Sequence, residues 1–100
     1  MSTTIQSVHF DADKKLIDFT NEKVSKLNQY YEGIIGSEVI LKIDKSGDNL
    51  NKIAELKLRI RGTELFAKKQ CATFEEAVDT VVIALRSQLI RHKEKKELAK

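Results

Sequence analysis

Ala54, Leu56, Leu58 and Ile60 alternate without a break with Glu55, Lys57, Arg59 and Arg61. In a strand, a period of two puts the apolar side chains on one face and the charges on the other. In a helix the same residues would scatter around the axis. The stretch is therefore a strand of a sheet with one face buried and one face wet. Val39, Leu41 and Ile43, set among Glu38, Lys42 and Asp44, repeat the pattern. Lys45-Ser46-Gly47-Asp48-Asn49 is a polar turn cluster between the two. Arg61-Gly62-Thr63-Glu64 reads as a short hairpin connection, and Leu65 to Cys71 as a further strand. Thr3 to Val8, partly β-branched, reads as a first strand.

A sheet with one apolar face needs a cover, and two helical segments supply it. Asp13 offers an N-cap oxygen, with Phe10 available to pack just upstream. From Lys14 to Tyr31, the residues Leu16, Thr20, Val24, Leu27 and Tyr31 recur at helical spacing. Gly33 and Gly36 are expected to end that helix. Thr73 and Glu76 form the capping box of a second helix, with a core stripe of Phe74, Val78, Val82, Leu85 and Leu89. It should run to about Lys96. The expected fold class is α+β in the order β-α-β-β-β-α: a four-stranded antiparallel sheet with both helices packed on one face.

One hundred residues, 41% of them hydrophobic, make one domain, residues 1–100, too small to enclose a deep substrate cavity. No apolar run approaches the roughly 20 residues that span a bilayer, and the first residues lack the pattern of a signal peptide. Cys71 stands alone, which excludes an intrachain disulfide and suits a reducing compartment. The expected location is cytoplasmic, with no membrane partner.

Catalytic chemistry has no foothold. His9 and His92 sit in no metal-ligand spacing, four scattered glycines make no phosphate loop, and Ser46-Gly47 lacks the setting of a nucleophile elbow. We therefore expect no enzyme, no catalytic residue, no metal and no cofactor. Cys71 reads as a small packing residue.

Charge is where the chain is unusual. Residues 1–50 carry six Lys/Arg against eight Asp/Glu, and residues 51–100 carry twelve against seven. The helix end at 86–100 holds six basic and two acidic side chains. Such a concentration is a footprint for a polyanion, although charge alone favours a solvated helix end complementing its own dipole. Arg86, Lys93 and Lys100 recur every seven residues, with Lys96 nearby, while Arg91 and Lys95 point elsewhere. On the first helix, Lys15, Phe19, Lys23, Lys26 and Tyr30 fall along one flank of the buried face. Basic residues interleaved with aromatics suit phosphate contact with stacking on bases, and Tyr30 is the candidate stacking residue. The same residues also suit a plain solvated edge of the core. Ile83 and Ile90 face away from the expected core and are a candidate protein-contact patch.

Three segments carry a resemblance. Lys23-Val24-Ser25-Lys26-Leu27-Asn28-Gln29-Tyr30-Tyr31, Val39-Ile40-Leu41-Lys42-Ile43 and Ser87-Gln88-Leu89-Ile90-Arg91-His92-Lys93-Glu94-Lys95, in that order, resemble the bacterial ribosome hibernation-promoting factors. That family includes ribosome-associated inhibitor A and carries the older name sigma-54 modulation proteins. The likeness runs from Ile5 to Lys96. It implies two parallel helices on one sheet face, similar to a double-stranded RNA-binding domain. It further implies binding to the small (30S) ribosomal subunit and its 16S rRNA, in the channel of transfer RNA and messenger RNA. Translation would stop and ribosomes would be stored in stationary phase or stress.

The family's RNA-contact positions carry over to Lys23 and Lys26, and to Gln88, Arg91, Lys93 and Lys95. Arg86 and Lys96 extend that set along the basic helix end. The chain departs from the family at Ser7, where Gly is common, and at Asp13, where the cap is often Thr. Ser87 stands where a basic residue is common, with Arg86 one position earlier and 100° around the helix. The C-terminal dimerisation domain of long members is not in these 100 residues, nor is the extension of members that oppose ribosome pairing; this leans toward the kind that assists it. The protein is expected to be a monomer in isolation. The alternatives are a generic structured-RNA-binding domain and a protein-interaction regulator acting through Ile83 and Ile90.

Overall fold

The computed structural model describes residues 2–45 and 49–98, with side chains through Lys95. Ser46 and Gly47 of the expected turn, and Lys100 of the basic end, lie outside the described residues. The chain forms β1 (Ser2–Val8), α1 (Lys14–Ser25), a 3-10 turn (Lys26–Gln29), β2 (Ile34–Ile43), β3 (Lys52–Ile60), β4 (Thr63–Cys71) and α2 (Phe74–Leu98). This is the expected β-α-β-β-β-α order. Among the described residues no helix is long and apolar enough to cross a membrane.

The strands lie in the order β1-β2-β3-β4. β2, β3 and β4 pair antiparallel, as their short connections require. β1, however, runs parallel to β2, from Ser2 opposite Gly36 to Val8 opposite Lys42. The sheet is mixed rather than antiparallel, which corrects the sequence reading. The cause is the connection: α1 crosses the sheet between β1 and β2, and a helical crossover returns the chain in its original direction.

Both helices cover one face. Leu16, Val24 and Leu27 from the first helical segment meet Val39, Leu41, Leu56 and Leu58 of the sheet and Val78, Leu85 and Leu89 of α2 in one core. Thr20 is buried among them, and its hydroxyl donates to the Leu16 carbonyl oxygen at 2.8 Å. The α2 stripe is rotated from the expected one. Val81 is buried with Ala77, while Val82 is only half-buried. At 100° per residue, Val81 falls between the buried Ala77 and Leu85, whereas Val82 falls beyond Leu89 at the other edge of the stripe.

Two further boundaries move. α1 ends at Ser25, whose hydroxyl donates to the Glu22 carbonyl oxygen at 2.8 Å, and the chain tightens into the 3-10 turn. A serine that bonds the preceding turn competes with the regular helical ladder. Leu27 stays fully buried, whereas Tyr30 emerges 37% exposed and Tyr31 is half-buried. Gly36 lies inside β2 and ends no helix. It sits at a register shift beside Ile34, and a side chain there would press on Arg59 Nη2 and Ser2 Oγ at 3.3 Å. Gly62 makes the β3–β4 turn at φ +89°, a conformation that favours glycine.

Both N-cap side chains accept the amide hydrogen bond expected of them. Asp13 Oδ1 accepts from the Leu16 amide at 2.9 Å, and Thr73 Oγ1 from the Glu76 amide at 3.1 Å. The Phe10 ring, upstream of α1, stacks at 4.5 Å on the ring of Phe74, the first residue of α2. Contacts then advance together along both segments: Lys23 with Asp79, Tyr30 with Arg86, Tyr31 with His92. The two helices therefore run in the same direction.

Candidate nucleic-acid interface

The two faces of the molecule differ in charge. On the open sheet face, opposite charges sit across from each other: Glu38 pairs with Lys57, Glu55 with Lys68, Arg59 with Glu64. Lys42 Nζ also meets Glu55 Oε2 at 2.6 Å. Cross-strand pairs of this kind balance the surface and leave little field. On the helix layer, positive charge gathers in the C-terminal half of α2, where Arg86, Arg91, Lys93 and Lys95 stand against Glu94.

There, α2 divides its basic residues between two flanks. Measured around the helix from the core line through Leu85 and Leu89, Arg86 and Lys93 turn toward α1, and Arg91 and Lys95 toward β4. The contacts agree. The Arg86 guanidinium lies 5.6 Å from the centre of the Tyr30 ring, within cation–π range. Lys93 borders a hollow of about 450 Å³ with Gln29, Tyr30 and Gly33. On the other side, Arg91 and Lys95 border a hollow of about 420 Å³ with Leu65, Gln88 and His92. Ile83 and Ile90 stand on the crest between the flanks, 47% and 40% exposed.

The sequence-derived candidates thus fall into four kinds. Lys26, Arg86, Lys93, Arg91 and Lys95 are exposed cations on one layer. Lys23 is engaged within the protein: its ammonium meets Asp79 Oδ1 at 3.3 Å and lies 5.6 Å from the Phe19 ring centre. Gln88 is engaged too, donating through Nε2 to the Phe66 carbonyl oxygen at 2.9 Å. The Lys96 backbone belongs to α2, and its side chain lies outside the described ones. Tyr30 presents an exposed ring beside Arg86, as a stacking residue must.

Two residues at the site escaped the sequence reading. Asp79 lies on the α1 flank of α2, seven residues before Arg86, and its heptad spacing was a signal for that placement. His92 turns inward, its ring edge-on to Tyr31 at 5.8 Å and its Nε2 buried without a hydrogen-bond partner in the structure. Among the described residues no three His, Cys, Asp or Glu side chains group to hold a metal ion. Cys71 is half-buried against the core, its Sγ 4.0 Å from Thr80 Oγ1, which fits a packing role.

The chain is 30% identical over 95 residues to a ribosome hibernation promoting factor of Azotobacter vinelandii, covering 95% of this chain and 85% of that protein. It is also 30% identical to a ribosome hibernation promoting factor of Salmonella typhimurium, covering 95% of this chain and 96% of that one. In three dimensions it is similar to a ribosomal subunit interface protein from Coxiella burnetii, with a TM-score of 0.84 and 21% identity over 94% of this chain and 99% of that one. The N-terminal domain of Protein Y from Thermus thermophilus follows at a TM-score of 0.81 and 19% identity, covering 92% and 99%. These two likenesses concern the fold. Over residues 3–97 the sequence matches the sigma 54 modulation protein / S30EA ribosomal protein family, and the chain belongs to that family.

Proposed function

We propose that the chain is a ribosome hibernation factor. It binds the small (30S) ribosomal subunit through its helix layer, occupies the channel of transfer RNA and messenger RNA against the 16S rRNA, and inhibits translation in stationary phase or stress. It acts in the cytoplasm as a stoichiometric ligand, without turnover and without cofactor. The observation that carries this reading is the division of exposed cations between the two flanks of α2, above a sheet face where opposite charges pair across the strands. Two cationic flanks on parallel helices can follow the phosphates of folded RNA by shape, with little need for base readout. Relatives that share nearly the whole chain bear the name ribosome hibernation promoting factor, which singles out the ribosome among structured RNAs.

Sucrose-gradient sedimentation of stationary-phase extract tests it. Comigration of the protein with small subunits or whole ribosomes is the expected result. Protein at the top of the gradient at low salt overturns the reading and favours a protein-contact role for the exposed Ile83 and Ile90.

A further inference from the structure

Between the 3-10 turn and α2 lies a cleft of about 130 Å³ whose chemistry differs from the cationic flanks around it. Its floor is apolar, formed by Leu27, which is fully buried, and by the half-buried Val82. Ile83 forms part of its rim. At one end stands the Tyr30 ring with the Arg86 guanidinium beside it. Two helical turns back along α2, about 11 Å, stands the Lys23–Asp79 pair, with the Asp79 carboxylate half exposed.

A groove made only to hold phosphates would carry neither feature. An apolar floor offers a phosphate no donor, and a half-exposed carboxylate repels it. A nucleobase matches both. Its faces are satisfied by Tyr30 and the aliphatic floor, and its edge carries N–H donors that a carboxylate accepts. Lys23, held against Asp79, presents a donor beside that acceptor, so the pair can meet an edge where donor and acceptor are neighbours. Lys26 on the rim and Arg86 at the end are placed for the flanking phosphates. A cationic peptide, the other ligand a carboxylate would attract, meets Lys23, Lys26 and Arg86 on the same walls.

We infer that this cleft receives one unpaired base of single-stranded RNA, stacked on Tyr30 and read at its edge by Asp79 and Lys23. The inference rests on the proposed RNA-binding reading and adds to it a ligand class, an unpaired nucleotide, and a source of base preference.

The test uses the full chain, short single-stranded homo-oligomers of the four ribonucleotides, and an RNA duplex of equal length, with binding followed by fluorescence anisotropy. Tyr30→Ala should weaken single-strand binding about tenfold, within the range for loss of one stacked base, and leave duplex binding and the salt slope unchanged. Tyr30→Phe should bind as the parent does. Asp79→Ala separates base reading from simple charge balance. Freed of Asp79, Lys23 should raise affinity for every oligomer, while the parent's preference among the four, expected at about fivefold or more, collapses toward unity. A uniform rise with the preference intact means that Asp79 only neutralises Lys23, and overturns the inference. So does a parent without base preference, or a Tyr30→Ala loss equal on duplex and single strand. Sedimentation with small subunits, run in parallel, separates the two levels. Subunit binding with an indifferent cleft leaves the ribosomal reading standing alone, and a discriminating cleft in a protein that ignores subunits removes that reading instead.

Discussion

Gln88 Nε2 donates to the Phe66 carbonyl oxygen at 2.9 Å, and this bond ties the C-terminal half of α2 to the exposed edge of β4. An edge strand presents unpaired backbone groups, and here a helix side chain satisfies one of them. The same bond lies at the foot of the β4-side flank, directly below Arg91 and Lys95. Gln88 therefore sets where that flank's cations stand. Gln88→Ala should lower the free energy of unfolding by about 1 kcal/mol, the net worth of one such hydrogen bond. Gln88→Glu should cost more, because its carboxylate faces a carbonyl oxygen. Urea denaturation of both variants checks the order; equal stability of parent and variants would show that the bond holds nothing.

Reversing charge on both flanks at once should abolish ribosome association without unfolding the protein. Arg91 and Lys93 are exposed and lie beyond Leu89, the last fully buried residue of α2 among the described side chains. Exposed substitutions of this kind shift stability by about 0.5 kcal/mol or less. The double variant Arg91→Glu, Lys93→Glu should melt within a few degrees of the parent and remain at the top of a sucrose gradient. A folded double variant that still sediments with small subunits would move the interface off the helix layer.

Salt dependence should report how many cations reach phosphate. Five cations of the candidate interface are exposed and stand outside the Lys23–Asp79 and Lys42–Glu55 ion pairs: Lys26, Arg86, Arg91, Lys93 and Lys95. At roughly 0.7 to 0.9 counterions released per contact, the logarithm of the affinity for small subunits should fall with the logarithm of salt at a slope of about −4. Lys95→Gln should reduce that slope by about one. Lys23→Gln should leave it nearly unchanged, since Asp79 already neutralises Lys23. A slope near zero would exclude an RNA-backbone mode.

What the chain disclosed in advance follows from which signals are local. The period of two in β3 and the N-caps at Asp13 and Thr73 are written in neighbouring residues, and each formed where it was read. The parallel pairing of β1 with β2 leaves no mark in either strand; it follows only from the crossover between them. The end of α1 was hidden because a 3-10 turn keeps Leu27 in the core, so the apolar spacing does not register the change. Val81 and Val82 are adjacent valines, and which one is buried depends on the rotation of α2 against the sheet. The site was legible as a set of cations. Their partners were not: Lys23 with Asp79 and Gln88 with Phe66 are separated by 56 and 22 residues, and only the packed helices and sheet bring them together.

If the helix layer occupies the transfer-RNA channel, inhibition should be competitive and stoichiometric. The reason is linkage. Two ligands that exclude each other from one site weaken each other by the same factor, whichever is varied. On that reading the protein acts by occupancy, through the charged surface along its two parallel helices. Each bound chain should therefore silence one subunit and no more. In a cell-free translation reaction, inhibition should be complete near one protein per ribosome. Excess initiator transfer RNA should displace the protein, and excess protein should displace the transfer RNA to the same extent. Silencing of a large excess of ribosomes by a trace of protein would require turnover. A subunit carrying protein and initiator transfer RNA together, seen as comigration of both labels in one peak, would place the protein outside that channel.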